Sequence, residues 1–175
     1  QVTCGFFKSD KGVIEDIDNN KIKELFSVID EIEGKVIIWA NYIHNIETII
    51  KLLRQKFPFE KTVAIYGAVS VEDRDKAVKD FQDDKHTRFF VGNPSTGGYG
   101  LNLTAAETVI YYSNSYDLTH REQSEDRAHR KGQTKSVTYV DIVCKGTIDE
   151  FIIKALNEKK NMSAQVLGEE VLKFL

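Results

Sequence analysis

Five short runs rich in β-branched and aromatic residues, "VIIWA" (36–40), "TVAIY" (62–66), "RFFVG" (88–92), "TVIYY" (108–112) and "VTYVDIV" (137–143), alternate with segments of helical period at roughly 43–57, 71–83 and 119–130. The first, third and fourth runs are almost continuously apolar, as strands covered on both faces must be. Strand, helix and strand in this rhythm predict βαβ units and a mainly parallel sheet, an α/β fold. Ser70 is placed to cap the second helix, and Glu72 and Asp73 sit in its first turn, where the helix dipole favours anions. Upstream, apolar residues at 22, 25, 26, 29 and 32 predict an amphipathic helix. Downstream, Thr147 and Glu150 stand at capping-box spacing and open a helix over 147–160. The first seventeen residues, with "DKG" between short apolar runs, suggest an extended or hairpin lead-in, and the last dozen a helix or a tail. One domain follows over 1–175: a lead-in segment and helix at 1–34, a core at 35–145 and C-terminal helices at 146–175. No internal repeat or Pro-rich linker marks a second unit.

Composition narrows the function classes. With 41% hydrophobic residues the chain can bury a substantial core. A net charge of -3 and a pI near 5.9 argue against a protein that coats nucleic acid indiscriminately, so any such contact must come from a local, shaped surface. Cys4 and Cys144 form no CxxC pair and the four histidines show no HxxxH spacing. Neither a disulfide framework nor a zinc site is indicated, and reduced intracellular thiols are expected. "VIIWANYIHNIETII" is broken by Asn41, His44, Asn45 and Glu47 and does not read as a membrane span, so a soluble chain of cytoplasm or nucleus is expected. The chain begins at Gln1 rather than Met, which suggests a piece of something longer or a processed product.

In an open parallel sheet ligands bind beyond the carboxyl ends of the strands. "GNPSTGGYGLNLTAA" (92–106) directly follows the third strand, and its Gly97, Gly98 and Gly100 allow backbone to approach a phosphate or sugar. Ordinary turn geometry selects glycine there too, and the segment matches neither GxGxxG nor GxxxxGK[ST]. "QSEDRAHRKGQ" (123–133) stacks Gln123, Arg127 and Arg130 on one helical face, aimed at a common anionic target. Its charges could equally pair along a solvated face. Against that, the run holds almost no strongly apolar residues although it lies between two core strands.

Read in order, "KVIIWANY", "IYGAVSVEDR", "GNPSTGGYGLNLTAAETVIYYSNSYDL" and "QSEDRAHRKGQ" resemble motifs IV, IVa, V and VI of superfamily 2 helicases, specifically the Swi/Snf-type DNA-dependent ATPases. The closing "DRAHRKGQ", continued by "SVTYVDIVCKGTIDEFI", is the most specific part. Where many members carry Arg-Ala before the motif V glycines, Ser95 and Thr96 stand here. The resemblance implies the second of two RecA-like lobes, a three-layer αβα domain, with ATP and Mg2+ held mainly by an N-terminal lobe of the same polypeptide. No GxxxxGK[ST] phosphate loop occurs in this sequence, and its acidic pairs, such as Asp83-Asp84 and Glu169-Glu170, stand outside any phosphate-loop context, so no DExx-type metal-binding pair is identified. By position in the motifs, Arg127 and Arg130 correspond to arginine fingers and Gln123 to a sensor of nucleotide state. Gly100, Asn102 and Asp126 would lie near the nucleotide or the motif VI arginines. DNA backbone would be met by Gly67, Ser70, Thr96, Gly98, Asn41 and Tyr42. The implied activity is ATP-driven translocation on DNA, without sequence specificity, and the lobe alone is expected to be inactive. The rival is a RecA-like module retained only for docking. A DEAD-box RNA helicase is disfavoured because its motif VI closes as HRxGRxxR, and a Rossmann enzyme because GxGxxG is missing after the first strand.

Overall fold

The computed structural model describes residues 1–18, 20–97, 100–130 and 136–173. The lead-in is a hairpin of β1 (Phe6–Lys8) and β2 (Ile14–Asp16), antiparallel, with Gly12 supplying the positive φ of 82° that the turn between them needs. There follow α1 (Lys21–Asp30), β3 (Val36–Trp39), α2 (Ile43–Lys56), β4 (Lys61–Ile65), α3 (Val71–Asp83), β5 (Thr87–Gly92), β6 (Thr108–Tyr111), α4 (Leu118–Ala128), β7 (Thr138–Asp141) and α5 (Ile148–Lys173). The expected strands and helices are all present. The tail continues α5 rather than leaving it at 160.

Strands β3 to β7 form one sheet in the order β4-β5-β3-β6-β7, with every neighbouring pair parallel. The strand period of two divides the side chains between two cores. Ile38, Phe89, Val91 and Ile110 face α1 and α2, where Leu25, Ile29, Ile46, Ile49 and Leu53 meet them. Ile37, Trp39, Phe90, Val109 and Tyr111 face α3 and α4, packing with Ala77, Phe81 and Ala128. This is a three-layer αβα sandwich, and the apolar character of both faces of β3, β5 and β6 is what the continuous runs encode.

Ser70 caps α3 as expected, its Oγ accepting from Asp73 N at 3.2 Å. At α5 the capping differs. Thr147 Oγ1 accepts from Asp149 N at 3.3 Å and donates to Cys144 C=O at 2.6 Å, while Glu150 N bonds the Thr147 carbonyl. Asp149 is recruited to a buried pair with Lys21 on α1 at 2.6 Å.

Two features place the site. The last residues of the strands align in one row, with Ile65 beside Gly92, Gly92 beside Trp39, Trp39 beside Tyr111 and Tyr111 beside Asp141. From β3 the chain leaves toward β4 through α2 on one face, and from β6 it leaves toward β7 through α4 on the other. The connections diverge between β3 and β6, so a crevice opens there at the carboxyl ends. Gly92 keeps that row closed: a Cβ on it would lie 2.8 Å from Ile65 O and 2.9 Å from Trp39 Cζ3. Gly92→Ala is expected to cost about 1–3 kcal/mol, the range for overpacking a core, read as a lower urea midpoint at unchanged m.

Candidate functional site

Three loops converge on the crevice. Asn41 follows β3, and its N–H donates to Ser113 Oγ after β6 at 2.9 Å. Asn93 follows β5, and its Nδ2 donates to the Asn41 carbonyl at 2.9 Å. The other end of the Asn93 amide accepts from Ser95 N at 2.8 Å and Ser95 Oγ at 2.7 Å, and its main-chain carbonyl accepts from Thr96 Oγ1 at 2.8 Å. One side chain thus sets the start of the glycine-rich loop and ties it to the neighbouring strand. Its only sequence signal was an Asn where an apolar strand stops.

Helix α4 roofs the crevice. Asp117 caps it, Oδ1 accepting from His120 N at 3.1 Å. The face it buries is made of Ser124, Arg127 and Ala128, which explains the lack of large apolar residues. Ser124 is wholly buried and its Oγ lies 2.6 Å from the Tyr111 hydroxyl. Desolvation raises the Tyr111 phenol well above its ordinary range, so it stays neutral.

The three residues expected on one helical face do not share an environment. Gln123 is exposed on α4, whereas Arg127 is 3% exposed, with its guanidinium 5.2 Å from the Trp39 ring and Nη2 donating to the Pro94 carbonyl at 3.3 Å. Burial, and to a lesser degree Arg130, lower its pKa, but a guanidinium remains charged. The Arg127 carbonyl accepts from Leu103 N at 3.0 Å, so the helix and the glycine-rich loop are bonded at both ends of this residue. Helix α4 stops at Ala128, because His129 turns to extended backbone at φ -107° and ψ 95°. Arg130 therefore lies beyond the helix, exposed, with Nη1 3.4 Å from the Gly100 carbonyl. Gly100 holds a positive φ of 49°, a conformation suited to glycine, and thereby turns the loop back to Arg130.

The remaining candidates spread over the same end of the sheet. Asn102 is exposed, its Oδ1 accepting from Thr104 Oγ1 at 3.0 Å, and Asp126 is exposed on α4. Gly67 and Ser70 lie in the exposed loop after β4, where the Ser70 hydroxyl is engaged in its cap. Thr96 is half-buried in a short 3-10 turn (Pro94–Gly97). Tyr42 is half-buried at the start of α2, edge-on to Phe6 at 5.3 Å, and burial raises its phenol. Gly98 lies outside the described residues, as do Lys131 to Lys135. Sequence reasoning missed Arg121, Tyr111, Asn114 and Asp141, which hold α4 to the sheet. Among the described residues no helix is long and apolar enough to cross a membrane.

Comparison with known proteins agrees with this architecture. Residues 19–132 match the helicase conserved C-terminal domain. The chain is 38% identical over 156 residues to the human chromatin-remodeling ATPase INO80, covering 86% of this chain and 10% of that protein. It is 33% identical over 156 residues to its counterpart in Mycosarcoma maydis, covering 87% and 8%. Thus it spans about a tenth of these relatives' length. Among solved structures, the C-terminal part of the Fun30 ATPase domain superposes with a TM-score of 0.72 at 28% identity, covering 79% of this chain and 45% of that one. The Sulfolobus solfataricus SWI2/SNF2 ATPase core in complex with dsDNA gives 0.66 at 26% identity, covering 81% and 30%. The ordered motifs, the parallel αβα sandwich and these matches together make the chain a helicase C-terminal domain, the RecA-like second lobe of a Swi/Snf-type superfamily 2 ATPase.

Proposed function

We propose that this lobe completes the ATP site of a DNA-dependent translocase by presenting motif VI arginines across a cleft to a nucleotide held by a preceding lobe, while its carboxyl-end loops touch the DNA backbone. The observation that carries this is the position of Arg130: exposed, beyond the end of α4, and beside the Gly100 turn of the glycine-rich loop. ATP supplies the phosphoryl group whose transfer spreads negative charge over the γ-oxygens. A guanidinium there provides always-charged, planar donors. Arg127 lies one layer deeper, bonded to the loop it would move with, and Gln123 stands exposed on the same helix. Among the described residues no group of three or more His, Cys, Asp or Glu side chains converges as a metal site, so Mg2+ would arrive on the nucleotide and the carboxylates of the other lobe.

For DNA, the candidate donors are backbone N–H groups and hydroxyls of the loops around Gly67, Thr96 and Asn41; the Asn41 N–H and the Thr96 hydroxyl, which donate to Ser113 Oγ and the Asn93 carbonyl here, would have to exchange those bonds for phosphate. Such groups suit phosphates without a basic surface, and they position a strand rather than read its bases. This reconciles DNA contact with a net charge of -3. The relatives' names and the DNA-bound archaeal core support the reading.

The test is steady-state ATP hydrolysis by the full-length polypeptide with and without duplex DNA, beside the 175-residue lobe alone. Strong stimulation by DNA in the former and negligible turnover in the latter are expected. A full-length protein that binds partners but hydrolyses no ATP would leave the docking role instead.

A further inference from the structure

Arg121 sits on α4, nine residues before Arg130, and no motif role covers it. Its guanidinium lies over the Tyr111 ring, 3.5 Å from the centroid. Nη1 donates to Asp141 Oδ1 at 2.6 Å and to Asn114 Oδ1 at 2.9 Å, Nη2 to Asp141 Oδ2 at 3.1 Å, and Nε to Glu125 Oε1 at 2.7 Å. Asn114 Nδ2 closes the ring by donating to Asp141 Oδ1 at 2.7 Å. Desolvation alone would lower the Arg121 pKa, and the bonded carboxylate of Asp141, together with Tyr111 and Glu125, more than offsets it. With its planar fork taken up by two carboxylates and an amide, Arg121 is no receptor for an incoming anion.

What the bonds do is fix a pose. Tyr111 and Asp141 are the last residues of β6 and β7, neighbours in the row beneath the crevice, and Asn114 belongs to the loop between β6 and α4. Ser124 adds a second point, bonded to the Tyr111 hydroxyl at 2.6 Å and donating to the Arg121 carbonyl at 2.7 Å. Glu125 adds a third: it also receives Lys160 of α5 at 3.0 Å, and its carbonyl accepts from the Tyr139 hydroxyl at 3.2 Å. Without a large apolar face, α4 has no hydrophobic ridge to set its rotation about its own axis. Charge-assisted, bidentate bonds do that instead.

We propose that Arg121 is the positioning residue of the arginine helix: clamped between Tyr111 and Asp141, it sets the rotation and depth of α4 and so where Arg127 and Arg130 stand. The inference rests on the function proposed above. Displacing a reacting partner by about 1 Å from outside the site can cost about 10²-fold, so loosening this clamp should act on kcat rather than on ATP affinity.

The experiment measures DNA-stimulated ATP turnover of the full-length protein, with the thermal midpoint of each variant as control. Arg121→Gln, assayed well below its midpoint, is expected to lower kcat by about 10- to 100-fold with KM for ATP changed by less than about twofold. Arg121→Lys keeps the charge but loses the planar, bidentate contact, and should recover part of the thermal midpoint without recovering kcat. Asp141→Asn leaves Arg121 in place and should lower kcat in the same sense, which keeps the test alive if Arg121→Gln does not fold. A folded Arg121→Gln or Asp141→Asn protein with wild-type kcat overturns the proposal, as does full rescue of kcat by Lys. Arg130→Ala separates the two ideas: if it retains full turnover, the function itself is wrong, whereas loss in Arg130→Ala beside wild-type kcat in Arg121→Gln removes the clamp alone.

Discussion

Arg130→Ala is expected to reduce DNA-stimulated ATP turnover by about 10³- to 10⁵-fold in the full-length protein, equivalent to about 4–7 kcal/mol of transition-state stabilisation, while the thermal midpoint of the lobe stays unchanged. The second half of that statement follows from geometry. Arg130 is exposed and its only described hydrogen bond, to the Gly100 carbonyl, is long at 3.4 Å. A surface contact of that kind contributes well under about 1 kcal/mol to folding. Arg127→Ala provides the contrast. That side chain fills space between Trp39 and Pro94, so its loss should lower turnover and stability together. Arg130→Lys should recover little, because an ammonium cannot reproduce the two-pronged approach to phosphate oxygens. Single-turnover hydrolysis at saturating ATP separates chemistry from nucleotide binding. Undiminished turnover in Arg130→Ala would end the arginine-finger assignment, whatever Arg127→Ala does.

The fold was legible because its signals are local. Each of the runs at β3, β5 and β6 carries enough β-branched and aromatic residues to name a strand buried on both faces, and each helix shows its apolar stripe or its cap. Strand order is a different matter. That β3 lies between β5 and β6, and that Trp39 ends beside both Gly92 and Tyr111, depends on crossovers that periodicity does not encode. The candidate site was legible as positions in the motifs and not as an arrangement in space. The motifs located Arg127 and Arg130, but stacking them on one helical face presumed that α4 continues to 130, and it ends at Ala128. One is consequently covered by the glycine-rich loop and the other stands clear of the helix. Arg121 escaped notice because its meaning comes from Asp141, twenty residues on, and Tyr111, ten residues back. An Asp closing an otherwise apolar strand was the available clue, since a carboxylate at the end of a covered strand needs a cation nearby.

Asp149→Asn should be the most damaging single change to stability away from the crevice, by about 3–5 kcal/mol, the cost of stranding one member of a buried ion pair. Lys21 is 3% exposed, and its ammonium lies 2.6 Å from Asp149 Oδ2 and 5.6 Å from the Tyr112 ring. The same carboxylate accepts from Cys144 N at 3.2 Å and Thr3 Oγ1 at 3.1 Å, so one group joins the lead-in, α1, the turn after β7 and α5. Burial by itself would raise the Asp149 carboxyl, but the hydrogen bond and charge of Lys21, followed by the Cys144 N–H and the Thr3 hydroxyl, hold it below the usual carboxylate range. A folded-state pKa depressed below the unfolded value of about 3.9 contributes stability in full above that pH and loses it as pH falls through the folded value. Wild type should therefore lose stability on acidification below about pH 5, and the gap between wild type and Asp149→Asn should narrow over the same range. Urea titrations at pH 7, 5, 4 and 3 would show it; a gap that stays constant with pH would mean that the charge of Asp149 is not what stabilises. The paired replacement Lys21→Met with Asp149→Leu removes both charges at similar volume and is expected to restore most of the loss, because desolvating two ions offsets nearly all that their attraction supplies. If instead the double variant is as unstable as Asp149→Asn, the Thr3 and Cys144 bonds rather than the ion pair hold α5 to the lobe.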